Sequence, residues 1–347
     1  MRIFFYLLTL TLFCSHNLYV KMDSYFLRAN QEVSLNLYNG SFEISKNNIS
    51  CDRILDASFV AHGQRTAINA SQCKDNDSTK TKLNFTIGNE GTYVAGVSTK
   101  PKNISLTAEK FNKYLKSDGV LDMLKQRTKD DLLDQDVLES YEKHVKAIYQ
   151  VGDLKTNDWN AVLGYPIEFI PKHSPYDKYI GDQLEVSLLL DGKPLSNQIV
   201  YADYVRSVHS HRFTDKTHEP SDQSHAHENS IAHLSQTNSE SEISRESHSH
   251  NLGQILRTNS QGSITVDLPE EGTYYLRTIY MTQVNDSTEL THQSKWATLT
   301  FGVSHKHGSG THVHNYEHMH EETIPTWMLV IGSIMLIGVL FLIFRKK

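Results

Sequence analysis

Two histidine-rich stretches limit which parts of this chain can form a folded core. Residues 207–252 and 304–323 together contain fourteen of the nineteen histidines. The first stretch carries seven acidic and three basic residues and few apolar ones. It cannot bury enough apolar surface to offset the entropy lost on ordering. We therefore expect a disordered insertion at 207–252, and a fold built from the residues on either side of it.

The N-terminal segment has the pattern of a secretory signal. Arg2 precedes an apolar run from residue 3 to residue 13, which small or polar residues follow. The sequence predicts a signal peptide over residues 1–15, with cleavage after Cys14 or Ser15. An uncleaved signal anchor is the alternative, and it leaves the histidine-rich stretches on the same side of the membrane.

The C-terminal apolar run is predicted to cross a membrane. Residues 324–344 contain no charged side chain, and residues 345–347 are all basic. At about 1.5 Å per residue, a helix of this length spans a hydrocarbon core of about 30 Å. The basic tail favours the cytoplasmic side, whereas a buried core helix would not explain it. We expect a single-pass protein of the inner (cytoplasmic) membrane, with most of the chain in the periplasm or extracellular space and residues 304–323 next to the membrane.

Short β-strands dominate the remaining sequence. Residues 32–38 and 82–87 alternate polar with apolar side chains, as strands with one buried face do. The same reasoning predicts strands at residues 184–190, 198–204, 263–268, 273–280 and 296–303.

Two helices are predicted between the two β-rich regions. Phe111, Tyr114 and Leu115 have helical spacing after Thr107, a residue type that caps helices, and Gly119 is the expected stop. Residues 137–150 also fit a helical stripe, with Glu142, Lys143 and Lys146 facing away from it and His144 packed or solvated. The expected fold is mainly β, with two Ig-like or prealbumin-like sandwiches at residues 16–106 and 151–303, a helical connector at 107–150, and a C-terminal transmembrane helix.

A short internal repeat suggests that the two β-rich regions are related. Residues 89–93 (NEGTY) match residues 270–274 (EEGTY). In both places a turn with glycine is predicted to lead into a strand that bears tyrosine.

The three cysteines fit an oxidising compartment. Cys14 belongs to the predicted signal, which leaves Cys51 and Cys73. An even pair outside the cytoplasm is expected to form a disulfide. A shared metal site is less favoured, because the two thiols lack the CxxC spacing of common metal motifs.

Six HxH pairs lie in the two histidine-rich stretches. Imidazole is the commonest protein ligand for borderline transition metals, and two imidazoles at this spacing can reach one ion. Such sites on a mobile chain suit several exchangeable Ni, Co, Cu or Zn ions. His16 could add a ligand, together with its own α-amine, if cleavage follows Ser15. The candidate metal ligands are His16, His209, His211, His218, His225, His227, His248, His250, His305, His307, His312, His314, His318 and His320.

Two roles without metal would also account for the histidines. The stretches could be solvated linkers whose composition has drifted, or pH sensors that gain charge as the pH falls through about 6.5.

The sequence does not indicate an enzyme. It has no HExxH, GxSxG, Walker lysine loop or GxGxxG pattern. Glu168 and Asp182 are isolated acids, which we interpret as turn and surface residues. The net charge of -6 is modest and mixed in sign, so it does not suggest a nucleic-acid-binding surface.

Several short motifs carry a family resemblance. Residues 191–195 (DGKPL), 258–262 (TNSQG) and 272–274 (GTY) resemble the prealbumin-like β-sandwich pattern of carboxypeptidase-regulatory and collagen-adhesin B-type repeats. A longer set resembles the bacterial DUF4198 family over residues 16–303, without the insertion: residues 110–115 (KFNKYL), Arg127, Tyr141, Lys146, residues 151–152 (VG), residues 164–168 (GYPIE), residues 175–176 (PY) and residues 181–182 (GD).

The resemblance implies a role in metal uptake. The DUF4198 family is associated with periplasmic components of nickel and cobalt uptake systems, so it implies Ni or Co as the bound metal and an uptake transporter as partner. One difference from the family pattern weakens the inference of a metal-uptake role. Family members often carry a histidine near residues 280–281, where this chain has Tyr280 and Met281, although His292 lies on the following segment.

Two hypotheses follow for the function. The first is a membrane-anchored accessory protein that captures divalent metal ions and hands them to a transporter. The second is a cell-surface or periplasmic interaction module that binds protein or glycan, in which the histidines form a spacer.

Overall fold

The computed structural model describes residues 17–75, 77–206, 253–284 and 290–304. These contain two α-helices, α1 (Ala108–Ser117) and α2 (Leu121–Lys129). The strands are β1 (Asn17–Lys21), β2 (Phe26–Leu27), β3 (Glu32–Gly40), β4 (Ser45–Asn47), β5 (Ile54–Ala61), β6 (Gln64–Ala67), β7 (Cys73–Lys74), β8 (Thr81–Thr86), β9 (Gly91–Thr99), β10 (Lys102–Leu106), β11 (Val137–Val151), β12 (Ile167–Pro171), β13 (Gln183–Leu190), β14 (Lys193–Pro194), β15 (Ile199–Arg206), β16 (Gln254–Arg257), β17 (Ser263–Asp267), β18 (Gly272–Gln283) and β19 (His292–Val303). The prediction of a mainly β, sandwich-like chain is confirmed.

The strands form three sheets. Sheet A has the order β1-β3-β8-β7, with β4 paired to β3. Sheet B has the order β16-β15-β18-β19-β11-β9-β5-β6, with β10 and β2 paired to β11. Sheet C has the order β12-β13-β14, with β17 paired to β13. Sheet B therefore contains strands from both of the predicted sandwiches.

The prediction of a helix over residues 137–150 is wrong, because these residues form the 15-residue strand β11. Val145, Ala147 and Tyr149 pack in the core beneath sheet A, whereas Ile148 packs in the core beneath sheet C. The apolar residues of β11 fall at helical spacing, and the polar residues between them, such as Glu139 and Lys146, are buried as well. Periodicity alone does not distinguish such a strand from a helix. The helical part of the predicted connector is thus confined to α1 and α2.

Sheets A and C cover opposite faces of sheet B. Leu18, Leu35 and Leu83 of sheet A share a core with Ala95 and Tyr149 of sheet B. On the other face, sheet C shares a core with sheet B through residues that include Phe169, Val186, Val94, Leu276 and Leu299. The two sandwich-like packings therefore share one sheet, and β11 contributes to both cores.

Helix α1 forms where the sequence predicts it. The Thr107 hydroxyl accepts a hydrogen bond from the Lys110 amide, at 3.4 Å, and so caps the first turn. Phe111, Tyr114 and Leu115 are buried, and they share a third core with Trp296 of β19. The two helices thus cover a part of sheet B.

The repeated turn recurs in three dimensions. The Tyr93 hydroxyl donates to the Asn89 carbonyl at 2.7 Å, and the Tyr274 hydroxyl donates to the Glu270 carbonyl at 2.8 Å. In each half a tyrosine fastens the turn that precedes its own strand, β9 or β18.

Cys51 and Cys73 form a disulfide in the structure, with 6.1 Å between their Cα atoms. The bond joins strand β7 of sheet A to the segment that leads into β5 of sheet B. Closing a loop of this size stabilises a fold by about 3 kcal/mol on chain-entropy grounds.

A buried ion pair connects sheet B to sheet C. The Lys146 ammonium lies 3.0 Å from the Glu168 carboxylate, and each side chain is only 2% exposed. Lys146 also donates to the carbonyls of Ala161 and Phe169, and Glu168 accepts from the amide of Leu163. The interpretation of Glu168 as a surface residue and of Lys146 as an outward-facing one is therefore wrong. Both belong to a network that fastens the 161–169 segment to β11.

Removing one partner of this pair should destabilise the fold strongly. We expect Lys146→Met to lower the free energy of unfolding by about 3–5 kcal/mol, because it leaves the Glu168 carboxylate buried without its cation. Adding Glu168→Gln should recover part of that loss, since glutamine is neutral and its oxygen still accepts from a backbone amide. Chemical denaturation measures both changes.

The surface pair Lys155–Asp177 provides the matched control. Its side chains are 42% and 60% exposed, so Lys155→Met should cost less than about 1 kcal/mol. Equal losses for Lys146→Met and Lys155→Met would contradict the role assigned to the buried pair.

Candidate functional site: the edge where the histidine-rich stretches attach

Every predicted metal ligand lies outside the described residues. His16 precedes the first described residue, and the other thirteen histidines lie in 207–252 and 305–320. What the structure describes is where these segments join the folded part.

Both histidine-rich stretches attach to the same end of sheet B. Arg206, the last residue before the insertion, pairs with Gly272, and Gly272 pairs with Val303 of β19. Strands β15 and β19 run in the same direction, because each is antiparallel to β18. Their ends are therefore two strands apart, about 10 Å. We call this row of Arg206, Gly272 and Val303 the exit edge.

The chain re-enters the fold beside the same edge. Gly253 precedes β16, whose Gln254 pairs with Ala202 of β15. A Cβ atom built on Gly253 would lie 2.5 Å from the Ala202 carbonyl oxygen, so a side chain at this position would force β15 and the returning chain apart. The insertion thus begins and ends on one pair of neighbouring strands.

An aromatic cavity of about 310 Å³ lies next to the exit edge. Val205 and Gly253 contribute to its wall. The Phe42 ring stacks on the Tyr275 ring at 4.2 Å, and the Tyr19 ring packs edge-on against both. The remaining lining includes Glu43, Tyr201, Asp203, Tyr204 and Arg277. The cavity therefore presents both aromatic rings and charged groups.

A buried ionisable cluster continues inwards from this cavity. The Arg277 guanidinium lies 4.2 Å from the centroid of the Tyr201 ring and donates to the Asp118 carbonyl at 2.8 Å. Burial raises the pKa of the Asp118 carboxyl to about 6, an effect that the nearby Arg277 and Lys143 charges oppose. Burial also lowers the pKa of the Lys143 ammonium to about 7.

Glu139 is the most deeply buried member of the cluster. Its Oε1 atom accepts hydrogen bonds from the hydroxyls of Tyr114 and Ser294. Burial raises the pKa of its carboxyl to about 7, although these two hydrogen bonds act in the opposite direction. The Lys143 ammonium lies 5.0 Å from the Trp296 ring and donates to the Asn39 side chain at 3.1 Å.

Sequence reasoning missed this cluster, and Lys143 shows why. A helical stripe over residues 137–150 places Lys143 on the solvent-facing side, but β11 turns it inwards and leaves it only 3% exposed. Residues 137–145 (VLESYEKHV) show no alternation of polar with apolar side chains, so the local sequence carries no signal for this cluster.

Ser98, His144 and Glu142 have the residue types of a hydrolase catalytic triad, but they are not accessible to a substrate. The Ser98 hydroxyl lies 2.9 Å from His144 Nδ1, and His144 Nε2 lies 3.6 Å from the Glu142 carboxylate. Ser98 and His144 are 2% and 1% exposed, so no substrate carbonyl can reach the hydroxyl. We assign these residues to packing.

The described residues themselves offer no preformed metal centre. Within them, no three His, Cys, Asp or Glu side chains come together in a group that could hold an ion. The same part of the chain contains no helix long and apolar enough to cross a membrane, and the predicted span at 324–344 lies outside it.

The family assignment rests on most of the folded region, up to the end of β18. The profile of DUF4198, described as a domain of unknown function, matches residues 14–282. The chain belongs to the DUF4198 family. No curated protein matches it.

Solved structures show only distant likeness. The D0-D1 domain of intimin is 9% identical, with a TM-score of 0.19, and the match covers 83% of this chain and 98% of that one. A DUF4785 family protein from Legionella pneumophila is 7% identical, with a TM-score of 0.20, and the match covers 53% of this chain and 37% of that one. The ectodomain of mouse nectin-like molecule 4 is 9% identical, with a TM-score of 0.17, over 86% of this chain and 67% of that one. These scores are too low to support an argument about function.

The buried carboxyl should make stability depend on pH. Because burial raises the pKa of Glu139 from 4.5 to about 7, its contribution is fully present below pH 4.5 and is lost as the pH rises through about 7. We therefore expect Glu139→Gln to stabilise the protein at pH 8 by up to about 3 kcal/mol and to have little effect at acidic pH. Thermal or chemical denaturation at both pH values measures this.

Glu109, on the exposed face of α1, is the matched control. Because Glu109 is exposed, Glu109→Gln should change the free energy of unfolding by less than about 0.5 kcal/mol. The assignment fails if Glu139→Gln shifts stability equally at both pH values.

Proposed function

We propose that this protein is a membrane-anchored, extracytoplasmic accessory protein that captures divalent transition-metal ions and hands them to a membrane transporter. The observation that supports this most is the exit edge. Two stretches far apart in sequence, which hold all six HxH pairs, are attached about 10 Å apart.

Attachment at one edge raises the local concentration of imidazole. The first HxH pair of each stretch begins close to the exit edge, since His209 follows Arg206 by three residues and His305 follows Val303 by two. An ion released by one HxH pair then meets another pair before it diffuses away, as in other tethered multivalent systems. This arrangement favours retention of several exchangeable ions over one fixed site.

The donor set limits the metal. Imidazole pairs with neighbouring carboxylates suit Ni, Co, Cu and Zn better than Mg or Ca. Nickel or cobalt is favoured by the resemblance described above, and zinc or copper satisfies the same ligands. In this proposal the transporter is a metal-uptake complex in the same membrane.

The folded part positions the histidine-rich stretches, and the two terminal segments export and anchor the chain. The two sandwich-like packings on sheet B, which we compare with Ig-like or prealbumin-like domains, hold both stretches at one edge. Residues 1–15 direct export, and residues 324–344 span the membrane, so that handover to a neighbouring transporter becomes effectively intramolecular.

One observation favours a second function. The aromatic cavity beside the exit edge combines several rings with charged and hydroxyl groups, a lining that also suits a protein or glycan ligand. In that case the chain would be an interaction module, and the histidines a spacer.

Metal titration of the full chain in detergent tests the proposal. We expect isothermal titration with Ni, Co, Cu or Zn near neutral pH to give several ions per chain. Replacing the twelve HxH histidines with asparagine should remove most of that stoichiometry, and replacing those of one stretch should remove about its share of the pairs.

His62 and His173 supply the control, since both are exposed on the folded part. Their replacement with asparagine should leave the stoichiometry unchanged. An unchanged stoichiometry after loss of all HxH pairs would contradict metal capture by the two stretches and leave the interaction module as the better account.

A further inference from the structure

The aromatic cavity beside the exit edge has a floor made of two paired strands. Tyr201 and Asp203 of β15 pair with Arg277 and Tyr275 of β18, respectively. These four side chains share the face of sheet B that points away from sheet C, because the alternating positions, such as Leu276, pack in the core beneath sheet C. All four also line the cavity. The floor therefore carries one cation, one carboxylate and two tyrosine rings.

Arg277 is buried, yet it donates only one hydrogen bond to the described part of the chain. It is 7% exposed, its guanidinium lies 4.2 Å from the centroid of the Tyr201 ring, and its bond goes to the Asp118 carbonyl. A guanidinium has five N–H donors. Among the described residues, no carboxylate lies within 4.0 Å of it. A buried charge is costly unless it is paired, so an anion in the cavity would complete the hydrogen bonds of Arg277.

Asp203 places an opposite charge on the same floor without neutralising Arg277. Its carboxylate accepts from the Tyr204 amide at 2.8 Å and from the Tyr275 hydroxyl at 3.3 Å. It stands diagonally across the strand pair from Arg277, where backbones are roughly 7–8 Å apart. A Cβ built on Gly253 would lie 2.8 Å from the Asp203 Cβ, so the neighbouring backbone packs directly against this side chain. The two charges are thus held apart on one surface.

The wall of the cavity is a fixed aromatic surface. Phe42 stacks on Tyr275 with 4.2 Å between the ring centroids, and Tyr19 packs edge-on against Tyr275 at 5.4 Å. Phe42 and Tyr19 are 3% and 2% exposed, whereas Tyr275 and Tyr201 are partly exposed and Ile44 is 62% exposed at the mouth. The buried rings therefore hold the partly exposed ones in place against the cavity.

We propose that this cavity binds a free α-amino acid with an aromatic side chain. The ligand carboxylate pairs with the N–H donors of Arg277, its ammonium pairs with Asp203, and its ring packs on Tyr201 and Tyr275. One hydrogen bond of about 2.8 Å at each end, together with the short distance between the two charged groups of an α-amino acid, spans the separation of Arg277 and Asp203. Glu43, which also lines the cavity, adds a second carboxylate near the ammonium.

The size of the cavity agrees with a small ligand. Its volume of about 310 Å³ lies at the lower end of the range for small-molecule sites, roughly 300–1,000 Å³. The site uses no histidine and no metal ion, so the proposal is independent of metal capture by the HxH pairs.

Isothermal titration of the full chain in detergent, with EDTA present to remove metal ions that would themselves bind an amino acid, tests the site. With L-phenylalanine as the probe, we expect saturable binding of one molecule per chain. L-Alanine should bind roughly ten-fold or more weakly, because it buries no ring against the tyrosines.

Blocked probes and two variants test each charge separately. N-Acetyl-L-phenylalanine lacks the ammonium and L-phenylalaninamide lacks the carboxylate, so each should bind roughly ten-fold or more weakly than L-phenylalanine. Asp203→Asn should weaken L-phenylalanine to a similar extent but leave N-acetyl-L-phenylalanine unaffected. Arg277→Lys keeps the charge but loses the planar fork, and it should weaken L-phenylalanine but not L-phenylalaninamide.

Arg28→Lys and Asp177→Asn are the matched controls, since both residues are exposed and neither lines the cavity. They should leave binding of L-phenylalanine unchanged. Chemical denaturation shows whether each variant is folded, and Asp203→Asn still tests the site if Arg277→Lys does not fold.

Absence of saturable L-phenylalanine binding would overturn the proposal. Equal binding of N-acetyl-L-phenylalanine would overturn it by reducing the site to a carboxylate receptor, and equal binding of L-phenylalaninamide would reduce it to an amine receptor. Unchanged binding in a folded Asp203→Asn variant would place the ligand elsewhere on the protein.

Discussion

Strand β11 is the constraint on which the rest of the structure depends. It is hydrogen-bonded to β9 and β10 through antiparallel pairs and to β19 through a parallel pair, and it buries side chains on both faces. A parallel pair needs a long crossover connection, and here that connection contains sheet C and most of the second β-rich region. Continuity of sheet B therefore depends on one strand that belongs to neither half alone.

The position of β11 also explains the buried charges. Lys146 reaches Glu168 on the sheet C side, whereas Glu139 and Lys143 lie with α1, Trp296 and Asn39 on the other side. Lys146, Glu139 and Lys143 all extend from β11. Neighbouring strands pair with both of its edges and other side chains cover both of its faces, so none of the three can turn to solvent. Burial lowers the pKa of the Lys146 ammonium, an effect that Glu168 opposes, and raises the pKa of the Glu139 carboxyl to about 7, an effect that its hydrogen bonds oppose.

The sequence was informative where one face of an element meets water. Strands β3, β8 and β13 alternate polar and apolar side chains, and Thr107 is a typical N-cap residue for α1, so these elements could be predicted. The sequence was misleading for β11, because burial on both faces removes the alternation of polar and apolar side chains. Long-range features had no local signal, since nothing in the sequence near Lys146 indicates that it pairs with Glu168. The HxH pairs are visible from composition, but their attachment at one edge depends on β15 and β19 flanking β18, which only sheet register reveals.

Both histidine-rich stretches leave the fold from one edge of sheet B. The most direct measurement is the distance between spin labels at Arg206→Cys and Ser304→Cys, in a full chain with Cys14→Ser. Cys51 and Cys73 are joined to each other and do not react. We expect strong dipolar broadening, because the two labelled backbone positions lie about two strand spacings apart, or roughly 10 Å. Absence of dipolar broadening in a folded chain would contradict it, because the two stretches would then not leave the fold from one edge of sheet B.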